Sequence, residues 1–157
     1  MPEERKPSPL SPHLVVSDAA AAIAFYKQAF GATELGRHLA PDGKRIMHAA
    51  LIINGATVML NDDFPEYGNG KSSTPEALGG TPVILHLQVQ DADAAFNQAL
   101  AAGANVKVPL ADQFWGDRYG QLQDPFGHVW SIGATKKQMT GEELEKAAQE
   151  HFKAMPA

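Results

Sequence analysis

The chain has no cysteine. Disulfides, thiolate metal sites and a thiol nucleophile are therefore excluded. It also lacks any block of one charge: 13 Lys and Arg stand against 18 Asp and Glu, a formal net charge of −5 with no basic cluster. Nucleic acid and anionic membrane surfaces, which need a basic footprint, are poor partners for such a chain. No apolar run approaches membrane-spanning length, and the opening MPEERKPSPLSP has no apolar core of the kind a signal peptide needs. These features lead us to expect a cytoplasmic protein with residues 1–9 as a disordered leader. Gly-x-Ser-x-Gly, His-Glu-x-x-His and phosphate-binding glycine loops are absent too. Aromatic residues are scarce at 8%, yet both tryptophans fall within FWGDRYGQLQDPFGHVW, residues 114–130.

What is present is an ordinary globular composition, 44% hydrophobic and 20% charged. At 157 residues the chain is one domain, or two small modules sharing a core. A repeat favours the modules. HLVVSDAAAA (13–22) and HLQVQDADAA (86–95) agree at seven of ten positions, at an offset of 73 residues. The likeness continues more loosely from GATVMLN (55–61) to GHVWSIG (127–133).

Each copy reads as β-α-β-β-β, giving an α+β fold of two tandem βαβββ modules. In the first copy, a strand over 10–17 precedes Asp18, an N-cap for a helix over 19–29 closed by Gly31. Strands follow over 32–39, 44–53 after Asp42-Gly43, and 56–62 after Asn54-Gly55. A Gly-, Ser- and Pro-rich linker spans 63–80. The second copy has a strand over 82–89, a helix over 91–102, and strands near 105–109, 117–123 and 127–134. A final helix over 140–155 opens with the capping box Thr140-x-x-Glu143 and carries an apolar stripe of Leu144, Ala148, Phe152 and Met155.

Paired βαβββ modules with Asp124-Pro125-Phe126-Gly127 before the last strand resemble the vicinal-oxygen-chelate superfamily, which includes glyoxalase I, extradiol dioxygenases and the bleomycin- and fosfomycin-resistance proteins. The runs Gly79-Gly80-Thr81-Pro82, Asp112-Gln113-Phe114-Trp115-Gly116-Asp117-Arg118-Tyr119-Gly120 and Asp124-Pro125-Phe126-Gly127-His128 are similar to a glyoxalase-like subgroup named after a phosphonate-operon protein. The resemblance covers residues 10–135 and implies a curved eight-stranded sheet forming a cup. In that arrangement the two first strands lie side by side and the helices cover the convex face. Parity then puts Leu14, Val16, Leu87 and Val89 under the helices, with Ser11, His13, Val15, Ile84, His86 and Gln88 lining the cup.

In the superfamily's metalloenzymes, the positions equivalent to Ser11, Met59, Ile84 and Ser131 supply the metal ligands. A divalent ion prefers imidazole or carboxylate to any of these four side chains. No metal cofactor is therefore expected at the usual site. His13 and His86 occupy equivalent repeat positions and form the one alternative metal, anion or proton-transfer pair. His48 reads as a core histidine that could instead enter the cup, and His38 and His151 carry no signal. His128 and Trp130 read as packing near the helices, Trp130 beneath the second. Asp117 and Arg118 read as a structural clamp. The candidate ligand-binding residues are His13, His86, Gln88, Phe114 and Trp115, the two aromatics as a lid over the cup mouth. The function this suggests is metal-free binding of a small organic molecule by a homodimer. The alternative is a metal-dependent lyase, isomerase or dioxygenase using a non-standard histidine site.

Overall fold

The computed structural model describes residues 7–156. Module one runs β1 (His13–Val16), α1 (Ala19–Phe30), β2 (Thr33–Leu39), β3 (Ile46–Ile53) and β4 (Ala56–Asp62). A short helix, α2 (Pro75–Leu78), interrupts the linker. Module two repeats the pattern as β5 (Ile84–Gln88), α3 (Ala92–Ala102), β6 (Asn105–Asp112), β7 (Asp117–Gln123) and β8 (Val129–Thr135), and α4 (Gly141–Ala154) ends the chain. Two βαβββ modules are what the repeat predicts. Of the proposed leader, residues 1–6 lie outside the described part, and Ser8 exchanges two hydrogen bonds with Thr57 on β4 (3.2 and 3.0 Å).

The helices start where the sequence signals place them. The Asp18 and Asp91 side chains each accept a backbone N–H of the first turn, from Ala21 and Ala94, both at 3.0 Å. In module one a second carboxylate helps. Buried Asp62 accepts Ala19 N–H at 2.8 Å and Ile46 N–H at 2.6 Å, tying the start of α1 to the start of β3. Thr140 caps α4 through Glu143 N–H at 3.2 Å, as the capping box requires.

The strands form two four-stranded sheets, ordered β1-β4-β3-β2 and β5-β8-β7-β6, each with its first strand paired in parallel to its last. The resemblance implied one sheet of eight with β1 beside β5. Among the described residues no ladder joins β1 to β5, and a cavity of about 440 Å³ lies between the modules, lined by Ser11, Pro12, Ala56, Val58, Ile84 and Leu85 among others. The modules are held together by other contacts. Helices α1 and α3 pack against each other. In addition, each hairpin turn reaches the other module's first strand: Asn54 Nδ2 donates to Gln88 O and His128 Nε2 bonds Val15 O, both at 2.9 Å.

The core runs across the module boundary. Leu14, Val16 and Leu87 are buried on the helix-facing side, as parity predicts, with Ala49, Leu51, Ile53 and Ile132. Trp130 is buried too, but its ring packs on α1 rather than beneath the second helix as expected. Its ring centroid lies 4.6 Å from that of Phe30 and 5.4 Å from that of Tyr26. The cause is Asp124, 3% exposed in the turn before β8. Its carboxylate accepts Tyr26 Oη–H at 2.5 Å, Trp130 Nε1–H at 2.9 Å, and the N–H groups of Phe126 and His128 at 2.9 and 3.0 Å. Burial, with Asp124 alongside, pushes the Tyr26 phenol well above its ordinary value. The Asp-Pro-Phe-Gly segment is thus a structural corner that fastens module two to the helix of module one.

Candidate functional site

Strand parity leaves one face of each sheet free of helices, here termed the open face. On module two it carries His86 and Gln88 from β5, Ser131, Gly133 and Thr135 from β8, and Asp117, Tyr119 and Gln121 from β7, as the strand register places them. The polar groups are linked. His86 Nδ1 shares a hydrogen bond with Ser131 Oγ at 2.8 Å and its Nε2 another with Gln88 Oε1 at 2.8 Å. The Gln88 amide passes on to Thr135 Oγ1 at 3.1 Å, and Gln121 Nε2 donates to Tyr119 Oη at 3.1 Å. Gly133 makes the arrangement possible, because a Cβ there would lie 2.9 Å from His86 Cε1. The imidazole occupies the space that a side chain would need.

Beside this network stand the aromatics. The His86 ring lies within 21° of parallel to Tyr119, their centroids 6.0 Å apart. Tyr119 meets Trp115 edge to face at 5.5 Å, and Trp115 meets Phe114 at 5.1 Å. The indole N–H donates to Asp117 Oδ2 at 3.1 Å. Phe114 continues the series onto α4, stacking on His151 at 4.6 Å and touching Phe152. The loop holding these rings turns on Gly116, at φ +94°, where a Cβ would lie 2.3 Å from Lys137 O.

His86, Gln88, Trp115 and Phe114, all expected site residues, thus stand in one connected series, with Tyr119 as the link. The sequence reading passed over Tyr119, though its parity with Asp117 and Gln121 along β7 carries the signal. His13 lies elsewhere, and among the described residues no hydrogen bond or ring contact joins it to His86. Its Nε2 is bonded to Asn61 Oδ1, and its ring meets His48 at 6.0 Å. His48 is half-buried on the open face of module one, opposite His38 in the β2–β3 ladder, because Ala49, Leu51 and Ile53 take the buried side of β3. It is a face residue rather than a core one.

Arg118 points to the helix side and clamps it. Its guanidinium bonds both Asp93 oxygens on α3 (2.9 and 3.0 Å) and Asp112 on β6 (3.2 Å), holding the Asp93 carboxyl below its usual range. Asp117 serves the Trp115 indole instead, so the two neighbours act on opposite faces.

At the four usual ligand positions, Ser11 Oγ donates to Ser8 O, Met59 pairs with His13 in the ladder, Ile84 is 46% exposed hydrocarbon, and Ser131 is spent on His86. A thioether, an alkyl group and two committed hydroxyls do not fit a divalent cation. Among the described residues, no three His, Asp or Glu side chains come together as a metal-holding group.

With this geometry established, likenesses to known proteins can be placed. Residues 10–132 match the family model for the Glyoxalase/Bleomycin resistance protein/Dioxygenase superfamily. An uncharacterised protein of Mycobacterium tuberculosis (strain H37Rv) is 60% identical over 138 residues, 88% of this chain and 81% of that one. The crystal structure of TioX from Micromonospora sp. ML1 is 31% identical, covers 81% of this chain and 98% of its own, and superposes with a TM-score of 0.62. The fosfomycin resistance protein FosX from Listeria monocytogenes, solved with Mn(II) and sulfate, is 20% identical over 92% of this chain and 99% of its own, with a TM-score of 0.61, and shares the fold alone.

Proposed function

We propose, for a chain that belongs to the glyoxalase/bleomycin resistance protein/dioxygenase superfamily, that it binds a small organic molecule on its open sheet faces without a metal at the superfamily's usual site. The observation that carries this reading is the unbroken series His86–Tyr119–Trp115–Phe114 beside the hydrogen-bonded set of Gln88, Ser131 and Thr135 around His86 and the Gln121 amide on Tyr119. Few convergent polar groups set among aromatic surfaces are what a small-molecule site needs for orientation and affinity. Ser131 Oγ lies 2.8 Å from His86 Nδ1 but is only 1% exposed, so it supports the imidazole from beneath rather than facing a ligand, and the four usual ligand positions favour binding over metal chemistry.

The binding form in this reading is a homodimer. Among the described residues no strand pairs with the outer edge of β1 or of β5, and Leu10, Val83 and Ile84 beside them are exposed. Unpaired edges flanked by exposed apolar side chains call for a cover. Helix α4 adds Phe152, and its C-cap adds Met155, 62% and 53% exposed, on the stripe that Leu144 and Ala148 continue.

Native mass spectrometry of untagged protein tests the reading. The expected result is a dimer carrying an organic adduct and substoichiometric metal. Replacing Tyr119 with Ala should weaken retention of that adduct by about two- to tenfold, the scale of one aromatic contact. A stoichiometric divalent metal, lost when His13 and His48 are both replaced by Gln, would replace this reading with the histidine-site enzyme.

A further inference from the structure

The chemistry of the module-two face also selects among ligands. We infer that it takes an uncharged, flat aromatic molecule carrying both a hydrogen-bond donor and an acceptor, of the amide or phenol type. This rests on the reading of that face as a binding site.

The argument starts from what the side chains offer. Gln88 and Gln121 present an acceptor oxygen and a donor nitrogen each; the Thr135 and Tyr119 hydroxyls donate and accept; the imidazole of His86 does both through its two nitrogens, while the buried Ser131 hydroxyl serves it from beneath. These groups already satisfy one another in pairs, at 2.8 to 3.1 Å. A ligand that enters must exchange partners with them in kind, offering a donor where it takes one and an acceptor where it takes one. No lysine or arginine stands among the residues that the β5-β8-β7 register places on this face. Arg118 is turned to the other side and held by Asp93 and Asp112.

An anionic ligand laid over His86 and Tyr119 would therefore leave water without a cation among these side chains and would meet the Asp117 carboxylate; Lys136 and Lys137 border a separate hollow with Phe114, Gly116 and Asp117, where Lys137 faces Glu143. A cation fares little better. The rings of Phe114, Trp115 and Tyr119 touch edge to face at 5.1 and 5.5 Å, so no ammonium group fits between them as it would in an aromatic cage. Asp117, the single carboxylate here, already accepts the Trp115 indole N–H. A flat uncharged ring has neither difficulty. His86 and Tyr119, within 21° of parallel, give it two surfaces of common tilt to stack on.

Three isosteric probes that differ in charge and in donor–acceptor pattern decide the matter: 2-naphthamide, 2-naphthoate and 2-naphthamidine. Titration is followed by calorimetry and by tryptophan emission. Trp130 is 1% exposed, so a change in emission on surface binding reports Trp115. The amide should bind at least about tenfold more tightly than either ion, the difference expected when an unpaired charge is kept out of water. Tyr119→Leu and, independently, Gln88→Met should each abolish that preference, and Trp115→Phe should remove the emission change while heat is still released. If naphthoate or naphthamidine binds as tightly as the amide and Tyr119→Leu weakens it, the face is a site but this selection rule is wrong. If none of the three binds, the reading of the face as a site falls, and this inference falls with it.

Discussion

Module one keeps its buried acid at the end of β4, where Asp62 joins the start of α1 to β3; module two has buried Ala134 at the matching place in β8 and carries its acid in the turn before that strand. The two carboxylates do different work. Asp62 accepts two backbone N–H groups of its own module, whereas Asp124 accepts four donors, one of them the Tyr26 hydroxyl of the other module. The open faces diverge in the same way, His13, Asn61, His48 and His38 on one and an aromatic series with amides on the other. Duplication has preserved the helix-facing frame and the caps, while the join between modules and the exposed faces have each taken a separate course.

The largest effect should come from the acid that bridges the modules. Asp124→Ala would leave the Tyr26 hydroxyl, the Trp130 indole and two backbone N–H groups buried without partners, and should cost about 4 kcal/mol or more. Asp62→Ala strands two donors and should cost about 2 kcal/mol. Urea unfolding of both variants measures the pair. Equal losses would mean that the bridge between modules carries no more than a helix cap, and the asymmetry argued above would be lost.

A substitution at Gly133 probes the open face next. An added methyl group at 2.9 Å from His86 Cε1 must push the imidazole away from Ser131 and Gln88. Gly133→Ala should therefore weaken ligand binding on module two about tenfold, at a stability cost of about 1 to 3 kcal/mol for the overpacked contact. Gly36→Ala, on β2 of module one where an added Cβ meets nothing within 4 Å, should leave binding unchanged. Comparable loss of binding from the two would show that the faces contribute alike.

Much of this frame is legible in the sequence because local signals carry it. Asp18, Asp91 and Thr140 cap helices through contacts three residues away, and period-two alternation sorts Leu14 and Val16 from His13. The same alternation exposes Gln88 and His86 on one face. What stays hidden depends on partners far along the chain. Trp130 reads as the core of its own module, yet it packs on Phe30 and Tyr26 of α1 and shares the Asp124 carboxylate with Tyr26, a residue 98 positions from that acid. His13 and His86 look paired by symmetry, yet each is claimed by a nearer neighbour, Asn61 in one case and Ser131 in the other. Repeat symmetry predicts where a residue sits in its module; the side chain then bonds whatever that module provides.

The smallest effect concerns how each module fastens its outer strands. Module two uses Arg118 between Asp93 and Asp112; module one uses Glu34, which bonds Arg37 at 2.6 Å and Lys27 at 3.0 Å. The Arg37 guanidinium, with Lys27 assisting, draws the Glu34 carboxyl from 4.5 to about 2. A carboxyl whose folded value is depressed stabilises the fold fully above its unfolded value and loses that contribution as pH falls through the folded one. The contribution of Glu34 should thus be whole above pH 4.5 and disappear as the pH drops toward about 2. Because the pair lies near the surface, the size should be no more than about 1 kcal/mol. Thermal unfolding of Glu34→Gln should match the parent near pH 2 and fall slightly below it from pH 5 upward. A parent and variant that run parallel across the whole range would show that this ion pair contributes nothing, leaving the Arg118 clamp of module two as the only one of the two with an energetic role.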